Sequence, residues 1–381
     1  MEVALVHDWL TGMRGGEKCL EVFCELFPEA NLYTLLYKKG SVSEIISRMK
    51  IETSFIQKLP FALNHYQKYL PLFPTAIEQF DLTVYDLVIS SSHCVAKGVI
   101  TRPETCHICY CYTPMRYAWE MYYTYFNENN ISPLVRWSIP FFMNYLRTWD
   151  EKSSDRVDYF VAISENVRRR IKKHYRRDAE VIYPPADIDY FNLSNNAGDF
   201  YLVVSALVPY KRVDLAILAF NELNLPLLII GEGAEKNKLK KLSKGNIQFL
   251  DWQNPSELKK YYSGCKALIF PGEEDFGIVP VEAQACGKPV IAFGKGGVIE
   301  SVKGVYPDQD LTPGNTGIFF YPQTKEELMD AVRRFESTRF DPEHIRANAI
   351  RFDRKIFKEK IKEFIERKLQ EHGSNKKQTK T

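Results

Sequence analysis

Short apolar runs rich in β-branched residues alternate along this chain with longer stretches of helical periodicity, in two successive series. The first series has runs at Val3 to Val6, Leu87 to Ser90, Ile108 to Cys111 and Tyr159 to Ala162. The second has Tyr201 to Val204, Leu227 to Ile230, Ile247 to Leu250, Ala267 to Phe270 and Pro289 to Ala292, each followed by a helix-like segment. A strand apolar at every position must be covered on both faces, and helical crossovers between parallel strands do this. The pattern predicts an α/β chain of two doubly wound, Rossmann-like domains facing a ligand cleft, with the break at Pro184-Pro185 and the polar stretch from Asn192 to Asp199. At 381 residues the chain is long enough for two cores.

Composition removes several classes of function. Lys plus Arg exceed Asp plus Glu by 51 to 48, a balance too even to announce a nucleic-acid partner. No basic head with an apolar run and cleavage site opens the chain, and nowhere do roughly 18 apolar residues run together, so neither a secretory signal nor a spanning helix is expected. The expected location is cytoplasmic, or peripheral on the inner face of the cell membrane. Among the eight cysteines, Cys106, Cys109 and Cys111 sit in one strand-like run with no second Cys/His pair close behind. They read as reduced core thiols, not as metal ligands. Two aromatic segments, Phe61 to Phe73 and Tyr117 to Trp149, the latter with Arg116, Arg136 and Arg147 beside or within it, read either as helical excursions packed on the sheet or as a membrane-interface surface.

The strongest chemical signal is Glu274-Asp275-Phe276-Gly277-Ile278-Val279-Pro280-Val281-Glu282, directly after a strand that ends in Phe270-Pro271. Pro280 suits the first turn of a helix, so the amides of Phe276, Gly277 and Ile278 lie where helices receive anions. Gly277 permits close approach of a ligand. Glu282 in the helix can take two neighbouring hydroxyls such as those of a ribose, and Glu274 in the loop can take sugar hydroxyls.

This nonapeptide resembles the E-x7-E region of retaining GT-B glycosyltransferases of the GT4 family, and the likeness extends over nearly the whole chain. Ser205 to Asp214 is similar to the loop that in the family brings a cation to the donor diphosphate, which places Lys211 there. Where the family often has Arg, this chain has Ala206, and Arg212 is expected to substitute. Gly231 in Ile230-Gly231-Glu232-Gly233, Trp252 in Leu250-Asp251-Trp252, and Gly294 to Glu300 resemble the nucleotide-binding turn, the base-reading segment and the loop near the donor sugar. In the first half, His7-Asp8-Trp9, Arg14-Gly15-Gly16-Glu17-Lys18, Ser90 to His93 and Thr113 to Tyr117 are similar to mannosyltransferases of O-antigen and exopolysaccharide synthesis. Gly15 and Gly16 are expected near the acceptor or the donor phosphates. Tyr112 stands where the family usually has a sugar-orienting His; His7 and His93 are the nearby strand-end alternatives.

The resemblance implies a GT-B fold with an acceptor-side domain over residues 1–184, a nucleotide-sugar donor domain over 185–350, a C-terminal helix over 351–372 crossing back to the first domain, and a disordered tail over 373–381. It implies a metal-independent hexosyltransferase without cofactor, moving mannose from GDP-mannose to a glycan or lipid-linked glycan. No covalent protein nucleophile is expected; Lys211 and Glu274 carry the catalytic burden by holding the sugar and the leaving phosphate. The alternatives are a UDP-sugar donor or a non-catalytic sugar-binding relative. A metal-dependent GT-A reading would rest on Asp187-Ile188-Asp189 or Asp308-Gln309-Asp310, neither of which follows a strand as that fold needs, and an epimerase would need an acid/base pair that has no place here.

Overall fold

The computed structural model describes residues 1–123, 133–194 and 198–378. Residues 124–132 of the second aromatic segment, residues 195–197 of the polar break and the last residues of the tail, 379–381, lie outside this description, as does the side chain of Arg136. The chain divides into two compact units, Met1–Pro185 with Phe357–Thr381, and Ala186–Ile356.

The first unit holds β1 (Val3–His7), β2 (Asn31–Thr34), β3 (Lys50–Thr53), β4 (Leu87–Ser92), β5 (Cys106–Cys111), β6 (Tyr159–Ala162) and β7 (Ala179–Val181) in one parallel sheet of order β3-β2-β1-β4-β5-β6-β7. The second holds β8 (Tyr201–Val204), β9 (Leu227–Ile230), β10 (Ile247–Leu250), β11 (Leu268–Phe270), β12 (Val290–Phe293), β13 (Gly304–Val305) and β14 (Gly317–Phe320), in the order β10-β9-β8-β11-β12-β14-β13. In both sheets the order reverses beside the first strand of the unit, between β1 and β4 and between β8 and β11. That reversal splays successive crossovers to opposite faces and opens a crevice at the carboxyl ends of the strands. Every residue of β1, β4 and β5 is buried, which is why these strands read as unbroken apolar or small-residue runs.

The helix Arg354–Gln378 belongs to the first unit from Phe357 onward. Phe357 packs edge-on against Phe23 and Tyr110, while Lys358 pairs with Glu25 and Arg367 with Glu180. The tail expected to be disordered from Gly373 is instead helical through Gln378. Once a long helix is nucleated, each further residue adds a hydrogen bond at small cost, so a polar end with nothing to bury can still extend it.

The aromatic segments part company. In Phe61 to Phe73, Tyr66 and Phe73 are buried with their rings tilted against Trp9, the packed reading, while Phe61 and Leu72 are exposed. The helix Pro133–Ser153 instead leaves Trp137, Phe141 and Tyr145, one turn apart on one face, exposed. All eight cysteines are buried thiols outside any disulfide. Among the described residues no helix is long and apolar enough to cross a membrane.

Candidate functional site

In the second unit, four strand-end loops are stitched together beside the β8/β11 reversal. The Ser205 amide donates to Ile230 O (3.0 Å) and the Leu207 amide to Glu232 O (2.8 Å), which joins the loop after β8 to the turn after β9. Gly231 makes that approach possible: its φ is +144°, and a Cβ there would sit 1.9 Å from Ser205 O. On the other side the Gly297 amide donates to Glu274 O (2.7 Å), so the loop after β12 clasps the loop after β11.

Lys211 closes the short 3₁₀ turn Pro209–Lys211, and its ammonium pairs with the Glu274 carboxylate. The sequence placed both on one donor; the structure brings their side chains into direct contact. Glu274 thereby fixes the lysine and offsets part of its charge. Arg212 adopts a left-handed conformation (φ +52°) and is held by Asp214 (3.1 Å from Nε) and by Gln323 Oε1 (3.4 Å from Nη1). Its guanidinium is therefore already bonded to a carboxylate of its own.

Gly277, with φ of +88°, is the N-cap of the helix Ile278–Ala285, and no side chain caps it. Only a residue without Cβ takes that conformation at no cost, and it leaves the first-turn amides beside the Lys211–Glu274 pair's loop. Pro280 lies in this first turn, where its missing N–H removes nothing. Phe276 is buried against Phe352 at 5.2 Å. Glu282 lies inside the helix, only 6% exposed, and accepts a hydrogen bond from the Tyr262 hydroxyl at 2.9 Å. Burial and this carboxylate push the Tyr262 phenol well up, so it stays a donor. Trp252, by contrast, follows β10 with 69% of its surface exposed.

In the first unit a second polar cluster gathers at the carboxyl ends of β1, β4 and β5. The Tyr112 hydroxyl donates to Gly16 O (2.8 Å), which ties the strand end to the start of the helix Gly15–Leu26. With that proton committed, Ser91 donates to the Tyr112 oxygen (2.7 Å), and His7 Nδ1–H donates to Ser91 Oγ (3.1 Å). Burial raises the Tyr112 phenol further above its ordinary range.

Beside this chain lies a group that the sequence named in motifs without assigning a role. The buried Asp8 carboxylate accepts from the backbone amides of His93, Cys94, Val95 and Ala96 at 2.7–3.0 Å and from His93 Nδ1 at 2.9 Å. Burial alone would raise the Asp8 carboxyl, but the His93 imidazole and amide hold it down to about 2. Burial lowers and Asp8 raises His93, with a net upward shift. The imidazole stands edge-on to Trp9 at 4.5 Å, its side chain 34% exposed, with Nε2 as its open position among the described residues. The sequence named Asp8 only within the segment His7-Asp8-Trp9; its function as the anchor of the loop after β4 arises from a contact across more than 80 positions of sequence.

Residues 188–352 match the family model described as Glycosyl transferases group 1. The chain is similar to the uncharacterized glycosyltransferase MJ1178 of Methanocaldococcus jannaschii, 31% identical over 42% of this chain and 45% of the relative, so it spans under half of that protein's length. It is also similar to the alpha-1,3/1,6-mannosyltransferase ALG2 of Candida glabrata, 23% identical over 67% of this chain and 69% of the relative. Among solved structures, Alr3699/HepE of Anabaena in complex with UDP-glucose matches 96% of this chain and 100% of its own, with a TM-score of 0.66 at 18% identity. With two parallel seven-stranded sheets, the fold is that of the GT-B glycosyltransferases.

Proposed function

We propose that the chain is a retaining, metal-independent hexosyltransferase of the GT4 type that moves mannose from GDP-mannose to a lipid-linked glycan in polysaccharide biosynthesis. The observation that carries this reading is the pairing of Lys211 with Glu274 at the strand reversal of the second sheet, next to the uncapped helix that Gly277 opens. A diphosphate gains negative charge as its bond to the sugar breaks. A fixed ammonium and first-turn amides of Gly277 and Ile278 stabilise that charge in place of a metal, with Arg212 as a second cation.

On this reading Glu274 holds the lysine with one oxygen and takes a sugar hydroxyl with the other. Glu282, oriented by Tyr262, takes the ribose hydroxyls, and the Gly231 and Trp252 segments flank the base. The catalytic task is to position two substrates and to stabilise the leaving group, which in turn accepts the proton of the incoming hydroxyl. In the first unit, Gly15, Gly16, Tyr112 and His93 form the acceptor side, and the exposed face of Trp137, Phe141 and Tyr145 supports a peripheral contact with a lipid surface on the cytoplasmic side of the membrane. A UDP-sugar donor is the second reading, favoured by the likeness to a structure that holds UDP-glucose.

The test is nucleotide diphosphate release from GDP-mannose, UDP-glucose and UDP-GlcNAc in EDTA, with and without a membrane lipid extract, beside Lys211→Ala and Glu274→Gln. GDP release that the extract stimulates and both substitutions abolish supports the proposal. UDP release moves it to the second reading, and turnover that is lost in EDTA and restored by Mg²⁺ or Mn²⁺ overturns metal independence. If no donor binds or turns over, the chain is a non-catalytic relative.

A further inference from the structure

At the amino ends of the strands in the first unit, far from Tyr112 and His93 along the same strands, three potential ligands converge. Cys106 is the first residue of β5, Asp158 directly precedes β6, and His372 lies on the helix Arg354–Gln378. The thiol sulfur, a carboxylate oxygen and an imidazole nitrogen all lie within 4.8 Å of one another. We propose that Cys106, Asp158 and His372 bind one zinc-type divalent ion, which pins the returning helix to the sheet.

Four observations support the site. The donors form a mixed set of sulfur, nitrogen and oxygen, which suits Zn²⁺ and its analogue Co²⁺; a site for Mg²⁺ or Ca²⁺ would be all oxygen. Asp158 is already oriented, because its Oδ2 accepts from the amide of His107 at 2.7 Å, the residue next to Cys106. Ligating carboxylates are commonly fixed in this way by an outer hydrogen bond. His372 Nε2 is buried with no hydrogen-bond partner among the described residues, a state that costs free energy unless something occupies it. Finally, the Asp158 carboxylate is open to solvent through a pocket of about 580 Å³ that it lines together with Tyr159, Arg168, Arg177 and Lys368, which gives an ion an approach on that side of the cluster. The Lys368 ammonium is engaged by Glu371 at 2.7 Å.

The helix presents His372 to the amino ends of β5 and β6 in a fixed position because Phe357, Ile361, Phe364 and Ile365 are buried along it. Ligand atoms within 4.8 Å of one another lie close to the spacing that a tetrahedral ion requires. On binding, the Cys106 thiol releases its proton to solvent and the thiolate bonds to the metal; nothing is oxidised or reduced. The sequence concealed this site because its ligands lie far apart along the chain, and Cys106 shares its strand with two cysteines that have no part in it.

The inference stands independently of sugar transfer and is tested without it. The full chain, stripped with EDTA, is titrated with Co²⁺ and then Zn²⁺, followed by calorimetry, by the thiolate-to-cobalt charge-transfer band and by thermal unfolding. The expected result is one ion per chain, a thiolate band that Zn²⁺ displaces, and a melting point about 5 °C higher at saturating Zn²⁺. His372→Asn, at a half-buried helix position, and Cys106→Ser should each weaken binding by at least about 100-fold, the upper end of what an outer-ligand change costs. His372→Asn must keep the metal-free melting point of the parent, which separates lost ligation from lost folding. Absence of stoichiometric binding, or binding that both variants retain, overturns the proposal.

Discussion

Tyr112 shows how a substitution in a motif can be absorbed by its neighbours. Its phenol bridges Gly16 and Ser91, so the strand end and the glycine turn are joined by a group that does not titrate near neutrality. His93, whose imidazole is oriented by Asp8, takes the sugar-orienting role in the proposed function. On the proposed reading, His93→Gln lowers transfer to a lipid acceptor by on the order of 100-fold while leaving nucleotide affinity unchanged, since the nucleotide is bound by the second unit. Equal transfer rates in the two proteins would remove His93 from the acceptor side. Lys211→Ala is expected to lower kcat by roughly 10²–10³-fold, the cost of losing one preorganised charge partner of a leaving group. Single-turnover release of nucleotide diphosphate reads this directly, and a change confined to KM would instead assign Lys211 to ground-state binding.

At the scale of strands and loops, what the sequence made legible follows from burial. β1, β4, β5, β6, β8, β9, β11 and β12 were visible as apolar runs because they are almost wholly buried; β10 was visible although it is an edge strand with only Ile247 buried, while β2 and β14 were missed although they are buried. β3, written Lys50–Thr53, escaped notice because it is an edge strand whose residues are half-buried or exposed. β7, also at an edge, is half-buried, and β13 is only two residues long. Of the site, glycines and carboxylates were legible by spacing, but the pairing of Lys211 with Glu274, and the bonds that hold Arg212 and Glu282, depend on tertiary contacts that spacing cannot express. The loop stitching makes its own prediction: Gly231→Ala forces a Cβ onto Ser205 O and should destabilise the second unit by about 2–4 kcal/mol. A urea midpoint equal to the parent's would show that the turn yields freely. In β5, His107 donates from Nδ1 to Arg156 O and accepts from Ser90 at Nε2, an arrangement that suits the neutral ring. Burial drives its pKa down to about 4. Because the unfolded ring titrates near 6.5, the unfolded chain binds the extra proton first. Stability from this group is thus complete above about 6.5 and lost as pH falls toward 4, on the order of 3 kcal/mol in all. Urea midpoints of the first unit measured between pH 7 and 4 should decline accordingly, and less so in His107→Asn compared with its own value at pH 7.

For the molecule as a whole, the two units are not two consecutive pieces of chain. The first is interrupted by the second and resumes at Phe357. Burial of Phe357, Ile361, Phe364 and Ile365 is worth roughly 1.5–3 kcal/mol each, a sum comparable to the net stability of a domain. A chain truncated after Ile356 should therefore lose the cooperative unfolding transition of the first unit and retain that of the second; two transitions of undiminished size would show the helix to be dispensable. The same interruption orders events during synthesis. The segment up to Pro185 leaves the ribosome with Phe23 and Tyr110 still awaiting their partner, and the whole second unit must be made before that partner emerges. The second unit can settle as one continuous stretch, whereas the first must stay incomplete and accessible to chaperones throughout, so a delay or premature stop beyond Ile356 would strand it with its core unsealed.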